Sequence, residues 1–193
     1  MSKIHMLRNP LSSLLHTEKK TELRRAIPNI RTTMLSEDYL ENFMRVYSKY
    51  KIGDKIWIKE PARVVSVDLI DLVMEYTIND ENPITIPIPE RFYSFDTPNE
   101  PISAKWITEC RGVPAGCIEE MSRTWLEVTD IRIESLQDIT TGEIIREGFK
   151  GIDSSKALSW WKDHWDSFES PQFFWEKNPK VFVYQLKKIT KGK

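Results

Sequence analysis

The segment Arg123–Gly148, RTWLEVTDIRIESLQDITTGEIIREG, restricts the fold more than any other stretch. Leu126 and Val128 alternate with polar neighbours. Ile131 and Ile133 do so again, but the apolar phase slips by one residue between the two pairs. A period-2 pattern with one slip predicts a long strand carrying a β-bulge near Thr129–Asp130, bent as a small barrel requires. Beyond Gln137, Thr140 and Glu143 have the spacing of a capping box and Gly148 supplies a C′ stop. A corner and about two helical turns therefore follow the strand.

The rest of the chain adds short strands with helices around them. Lys55–Glu60 (KIWIKE) alternates as a strand that Pro61 ends, and Lys180–Ile189 (KVFVYQLKKI) reads as the last strand. Lys3–Leu7 and Ala104–Thr108 are candidate strands, whereas Val64–Tyr76 is apolar enough for strand or helix. Leu11–His16 reads as a short helix, and Ser36 caps a second one with Leu40, Phe43 and Tyr47 at helical spacing. Asp153 or Ser154 caps a third, which places Leu158, Trp161, Trp165 and Phe168 on one face. The interval Asn79–Pro101 holds five prolines and many acids and reads as an irregular excursion. Strands outnumber helices, which predicts a mixed α+β domain with a small curved sheet or β-barrel and peripheral helices.

At 193 residues the chain is long enough for one good core. No stretch approaches the roughly 18 apolar residues of a membrane span, and the first residues lack the apolar region of a signal peptide. The expectation is a cytoplasmic protein with no membrane partner. Cys110 and Cys117 read as two buried thiols in a reducing compartment, with a single disulfide as the alternative. Net charge is −1, but residues 1–31 carry seven bases against two acids and residues 66–100 eight acids against one base. That asymmetry predicts one anion-attracting and one anion-repelling face, or two segments that pair with each other.

His5, His16 and His164 are scattered, and no glycine-rich phosphate loop is present, so neither a metal nor a cofactor is expected. The run KKTELRR, with Lys19, Lys20, Arg24 and Arg25, can hold a phosphate or a polarised carbonyl; otherwise it is a solvated charged turn. Of the seven tryptophans, those at helical spacing read as core. Trp57 and Trp125, on strands, are open to base stacking. Glu147, at a helix end, is either a pocket carboxylate or a surface residue.

Several segments together resemble one family. EKKTELRRAI resembles the GRKTxTRR motif of phage and bacterial ASCH proteins, which belong to the PUA-like barrels, and GDKIWIKEPARV resembles their GDxLWVRETWA strand. AKW at 104–106 and MSRTWLEVTDIRIESLQDI resemble their W…MPRxxSRxxLEVTxVRVExLQDI segment. IIREGF resembles AxxEGI, and WDSF with WEKNPKVFVYQLKKI resembles LWDSI…WxxNPWVWVxEFxxI. The resemblance covers most of the chain. It implies a single PUA-like domain over residues 1–193, with variable insertions near 32–51 and 79–103.

It also implies a cleft beside the lysine motif that binds RNA or a modified nucleotide or nucleobase, in a protein of phage or prophage origin. Lys19, Lys20, Arg24, Arg25, Arg123 and Trp57 are the implied nucleic-acid contacts. Small relatives hydrolyse an acetylated cytidine with the motif lysine, a threonine three residues on and a glutamate of the EG segment; others have been linked to RNA cleavage. Carried over, the lysine is Lys20 and the glutamate Glu147. The motif glycine is here Glu18 and the third residue after the lysine is Leu23, which leaves Thr21 as the local hydroxyl. The alternatives are therefore a binding module, a hydrolase of modified nucleosides or RNA using Lys20, Thr21 and Glu147, and an interaction module whose acidic 79–103 segment meets a protein partner.

Overall fold

In the computed structural model, residues 3–5, 20–28, 37–76, 83–93, 102–114 and 116–190 are described. They form a mixed α+β structure of two sheets. The larger contains β1 (Lys3–His5), β2 (Glu22–Ala26), β3 (Lys55–Ile58), β7 (Trp125–Ser135) and β8 (Lys180–Ile189). Its order is β1-β3-β7-β8-β2, parallel between β1 and β3 and antiparallel elsewhere. The smaller is an antiparallel meander of β4 (Ala62–Val67), β5 (Asp71–Tyr76) and β6 (Ile84–Pro87).

The long strand forms as its pattern predicts. The β7–β8 register shifts between Val128 and Asp130, which leaves Thr129 as the bulged residue. The bulge returns Ile131 and Ile133 to the face that already holds Leu126 and Val128, and all four pack in one core cluster with Phe182, Tyr184 and Leu186. A short 3-10 turn over Leu136–Asp138 makes the corner. Helix α3 (Thr141–Arg146) then starts with Thr140 and Glu143 in a reciprocal capping box and stops at Gly148, whose φ of 109° is a backbone state that favours glycine.

Strand β8 supplies both faces of the large sheet. Phe182 and Tyr184 point to α1 (Glu37–Tyr47), where Phe43 and Met44 pack against them. Val181 and Val183 point the other way, to α3 and α4 (Ala157–Asp166), and meet Ile144, Trp161 and Trp165. A third cluster joins Trp57 and Trp125, cross-strand partners on β3 and β7, to Leu72, Met74 and Tyr76 of the small sheet.

Four expectations are corrected. The described strands make two sheets and no closed barrel, because the β4–β6 meander uses its apolar face to pack on the large sheet and does not pair with an edge of it. Ala104–Thr108 is no strand: helix α2 (Lys105–Thr108) occupies it, with Ile107 its one fully buried residue. So short a segment shows too little periodicity to separate the two states. The acidic excursion contains β6, and Pro83 and Pro87 are tolerated there because one precedes an edge strand and the other ends it. On α4 the buried residues are Ala157, Trp161 and Trp165, and Leu158 is exposed, since a spacing of four defines the buried face.

Both cysteines are free thiols, but only Cys117 is buried, in the third cluster, where burial pushes its thiol pKa up to about 11; Cys110, also expected to be buried, is exposed. The expected Leu11–His16 helix, the Ser36 cap, Leu7, Lys19, and residues 77–82, 94–101 and 191–193 lie outside the described residues. No helix among the described residues is long and apolar enough to cross a membrane.

Candidate functional site

From Lys20 onward the KKTELRR run is no solvated turn. It leads into edge strand β2, where period-2 alternation sends Lys20, Glu22 and Arg24 to the α4 face and Thr21, Leu23 and Arg25 to the α1 face. Pairing partners confirm the parity: Leu23 opposes Tyr184 on the α1 side and Arg24 opposes Val183 on the α4 side. The α4 face there is charged. Strand β7 contributes Arg132 and Glu134, and α3 contributes Glu143, Arg146 and, at its C-cap, Glu147.

These eight side chains, four cations and four carboxylates, form one network. The Lys20 ammonium contacts the Glu147 Oε2 carboxylate oxygen and donates at 3.3 Å to the Glu147 carbonyl. Arg24 donates from Nη1 to Glu147 Oε1 at 2.9 Å and to Glu22 Oε2 at 3.0 Å, and from Nε to Glu134 Oε1 at 2.9 Å. Its Nη2 lies 2.8 Å from Glu134 Oε1 as an ion pair, without hydrogen-bond alignment. Arg146 Nε donates to Glu22 Oε1 at 2.8 Å, and Arg132 bonds Glu134 at 3.1 Å and Glu143. Lys20, Arg24 and Glu147 are only 3, 2 and 1% exposed. Charges so thoroughly desolvated are tolerated only when each is paired, and the equal numbers of the two signs meet that condition.

Glu143 links capping to electrostatics. Burial pushes its carboxyl up, but hydrogen bonds from the Thr140 amide and hydroxyl and the charges of Arg24 and Arg132 outweigh this and hold it below the ordinary carboxylate value. A carboxyl depressed on folding contributes stability above its unfolded value, about 4.3, and loses it as pH falls through the folded one. Urea midpoints of wild type and Glu143→Gln should therefore differ fully at pH 7 and converge as pH falls through the folded value, below the ordinary carboxylate range. A gap independent of pH would show that the charge contributes nothing.

Of the other expected site residues, the structure gathers only some. Thr21 is half-buried on the opposite face, its amide bonded to the Arg146 carbonyl at 2.9 Å and its carbonyl to the Leu186 amide at 2.8 Å. Among the described residues its hydroxyl bonds neither Lys20 nor Glu147, so the predicted Lys20–Thr21–Glu147 constellation does not assemble. Arg25, on the α1 face, hydrogen-bonds Tyr50. Arg123 forms a separate ion pair with Glu60, at 2.7 and 2.9 Å, and its side chain is 8% exposed. Trp57 is 3% exposed within the third core cluster and offers no face to a base. Among the described residues no group of three His, Cys, Asp or Glu side chains could hold a metal ion.

The sequence reading missed Glu22, Arg132, Glu134, Glu143, Arg146 and His164. The strand charges had a signal: ELR in β2 and RIE in β7 place opposite charges two apart, on one face of a strand. His164 had none. It lies on α4, stacked on Trp160 with centroids 4.7 Å apart and planes 9° apart, and burial and the Lys20 charge, partly opposed by Glu147, lower its pKa. Beside Trp160 lies an open groove of about 610 Å³, walled by Phe149, Gly151, Asp153, Lys156, Ser159 and Asp163 among others. No protein family, no curated protein and no solved structure gives a match to the chain.

Proposed function

We propose that this chain is a PUA-like module of the ASCH type that binds a nucleobase-containing ligand, RNA or a modified nucleotide or nucleoside, in the cleft beside the Lys20 motif. The observation that carries the reading is the Lys20–Glu147 pair. Residues 127 positions apart meet at the buried edge of a sheet, within a network of ion pairs, and the Lys20 charge reaches His164, which stacks on Trp160 of the groove. Desolvated charges beside a cleft are more costly than an apolar core would be, which marks the place as a candidate for function. The resemblance supplies the ligand class, together with a phage or prophage origin.

A second reading, a hydrolase of modified nucleosides or RNA, is favoured by the same contact, because Lys20 and Glu147 are paired as a proton-transfer couple would be. With Thr21 on the other face, the nucleophile would be a water molecule.

The test is a thermal-shift and turnover panel of acetylated and other modified nucleosides and short RNAs, on wild type and Lys20→Ala. A ligand at about 100 times its Kd stabilises by about 2.7 kcal/mol, or roughly 5–10 °C in a chain of this size. Stabilisation without product, absent in a folded Lys20→Ala, is the expected result. Product formation that depends on Lys20 would establish the hydrolase. Silence across the panel would reject both and leave the interaction module.

A further inference from the structure

Helix α4 presents Ser159, Trp160 and Asp163 to the groove, Lys156 joins them from the turn just before it, and the segment after α3 closes it with Phe149, Gly151 and Asp153. At about 610 Å³ it has the size of a small-molecule site. Trp160 is its rigid wall. The parallel stack on His164 fixes the indole plane, and Phe149 stands 5.4 Å away, tilted by 53°. Phe149 in turn lies over Gly151, where a Cβ would come within 2.2 Å of the ring, so only glycine leaves the aromatic wall in place.

The polar lining is unsuited to phosphate. Its one cation, Lys156, stands 4.0 Å from the Asp153 carboxylate, and Asp163 adds a second negative charge. Lys20 and Arg24 cannot compensate, because they are held in the ion-pair network. Two carboxylates and a hydroxyl beside an indole face suit a flat heterocycle that donates N–H bonds. We infer that the groove takes the base of a nucleoside bearing an exocyclic amino group, stacked on Trp160 with its N–H donors on Asp163 or Asp153, and does not take the phosphate backbone of RNA. This rests on the proposed nucleobase ligand and narrows it.

The test is a fluorescence titration of the full chain with cytidine, adenosine, uridine and a short oligouridine, repeated from low to high salt. The variants are Trp160→Ala, the isosteric and exposed Asp163→Asn, and Lys20→Ala. Cytidine or adenosine should bind in preference to uridine, with little salt dependence, since no counterions are released. Trp160→Ala should abolish binding and Asp163→Asn weaken it about tenfold for the aminated bases alone. Equal binding of uridine and cytidine, or a steep salt slope with the oligonucleotide preferred, would overturn the inference.

The variants separate the two claims. Binding lost in Lys20→Ala but untouched in Trp160→Ala and Asp163→Asn removes the groove and keeps the Lys20 reading. The opposite pattern keeps the groove and removes Lys20. No binding by any compound overturns the groove inference, and the Lys20 reading then stands or falls on the panel of modified nucleosides.

Discussion

Arg24→Met should lower the free energy of unfolding by about 3–5 kcal/mol, because it strips the cation from the centre of a buried network. The Arg24 side chain has no solvent exposure and serves Glu22, Glu134 and Glu147 at 2.8–3.0 Å. Methionine fills much of the same space, so the loss reports carboxylates left facing one another and not a cavity. Arg24→Lys should recover only part of it, since a single ammonium cannot span three carboxylates as a planar guanidinium does. Arg24→Met with Glu147→Gln should cost less than the two single losses added together, because the pair in contact is removed as a unit. Urea denaturation at pH 7 measures the four variants against wild type. A loss below about 1 kcal/mol for Arg24→Met would mean that these charges behave as surface pairs do.

Arg123→Ala should have an effect of similar size and a different meaning. Arg123 precedes β7, Glu60 follows β3 and Tyr76 ends β5, so their contact ties the two sheets together. The guanidinium lies 4.0 Å over the Tyr76 ring while binding Glu60, and Thr124 donates to the second Glu60 oxygen at 3.2 Å. Burial raises the Tyr76 hydroxyl well above its ordinary value, as expected of a sealed site. Truncation strands the Glu60 carboxylate and should cost about 3–5 kcal/mol. Ligand affinity, measured well below the new unfolding midpoint, should be unchanged. Lost affinity at unchanged stability would return Arg123 to the role of ligand contact.

Local rules account for the elements that were legible. The slipped period of Leu126, Val128, Ile131 and Ile133 located the bulge near Thr129–Asp130, where it lies, because one face of that strand is buried and tolerates no other register. The Thr140–Glu143 box and Gly148 bounded α3 because capping is decided within one turn. The errors fell where neighbours outvote local pattern. Leu158 and Ala157 differ by one position on a helix, and only the packed sheet decides which is buried.

For the site, the sequence showed which residues carry charge, and its family resemblance singled out Lys20 and Glu147. The tertiary structure decided the rest. Edge strand β2 turned Lys20 and Arg24 towards Glu147 and turned Thr21 away. The sheet-to-sheet junction enclosed Trp57 and Arg123, and α4 brought His164 and Trp160 beside the network. A charged residue reads alike in a sequence whether it faces water or four opposite charges. Only the partners brought in from distant segments distinguish the two, through the desolvation that they offset.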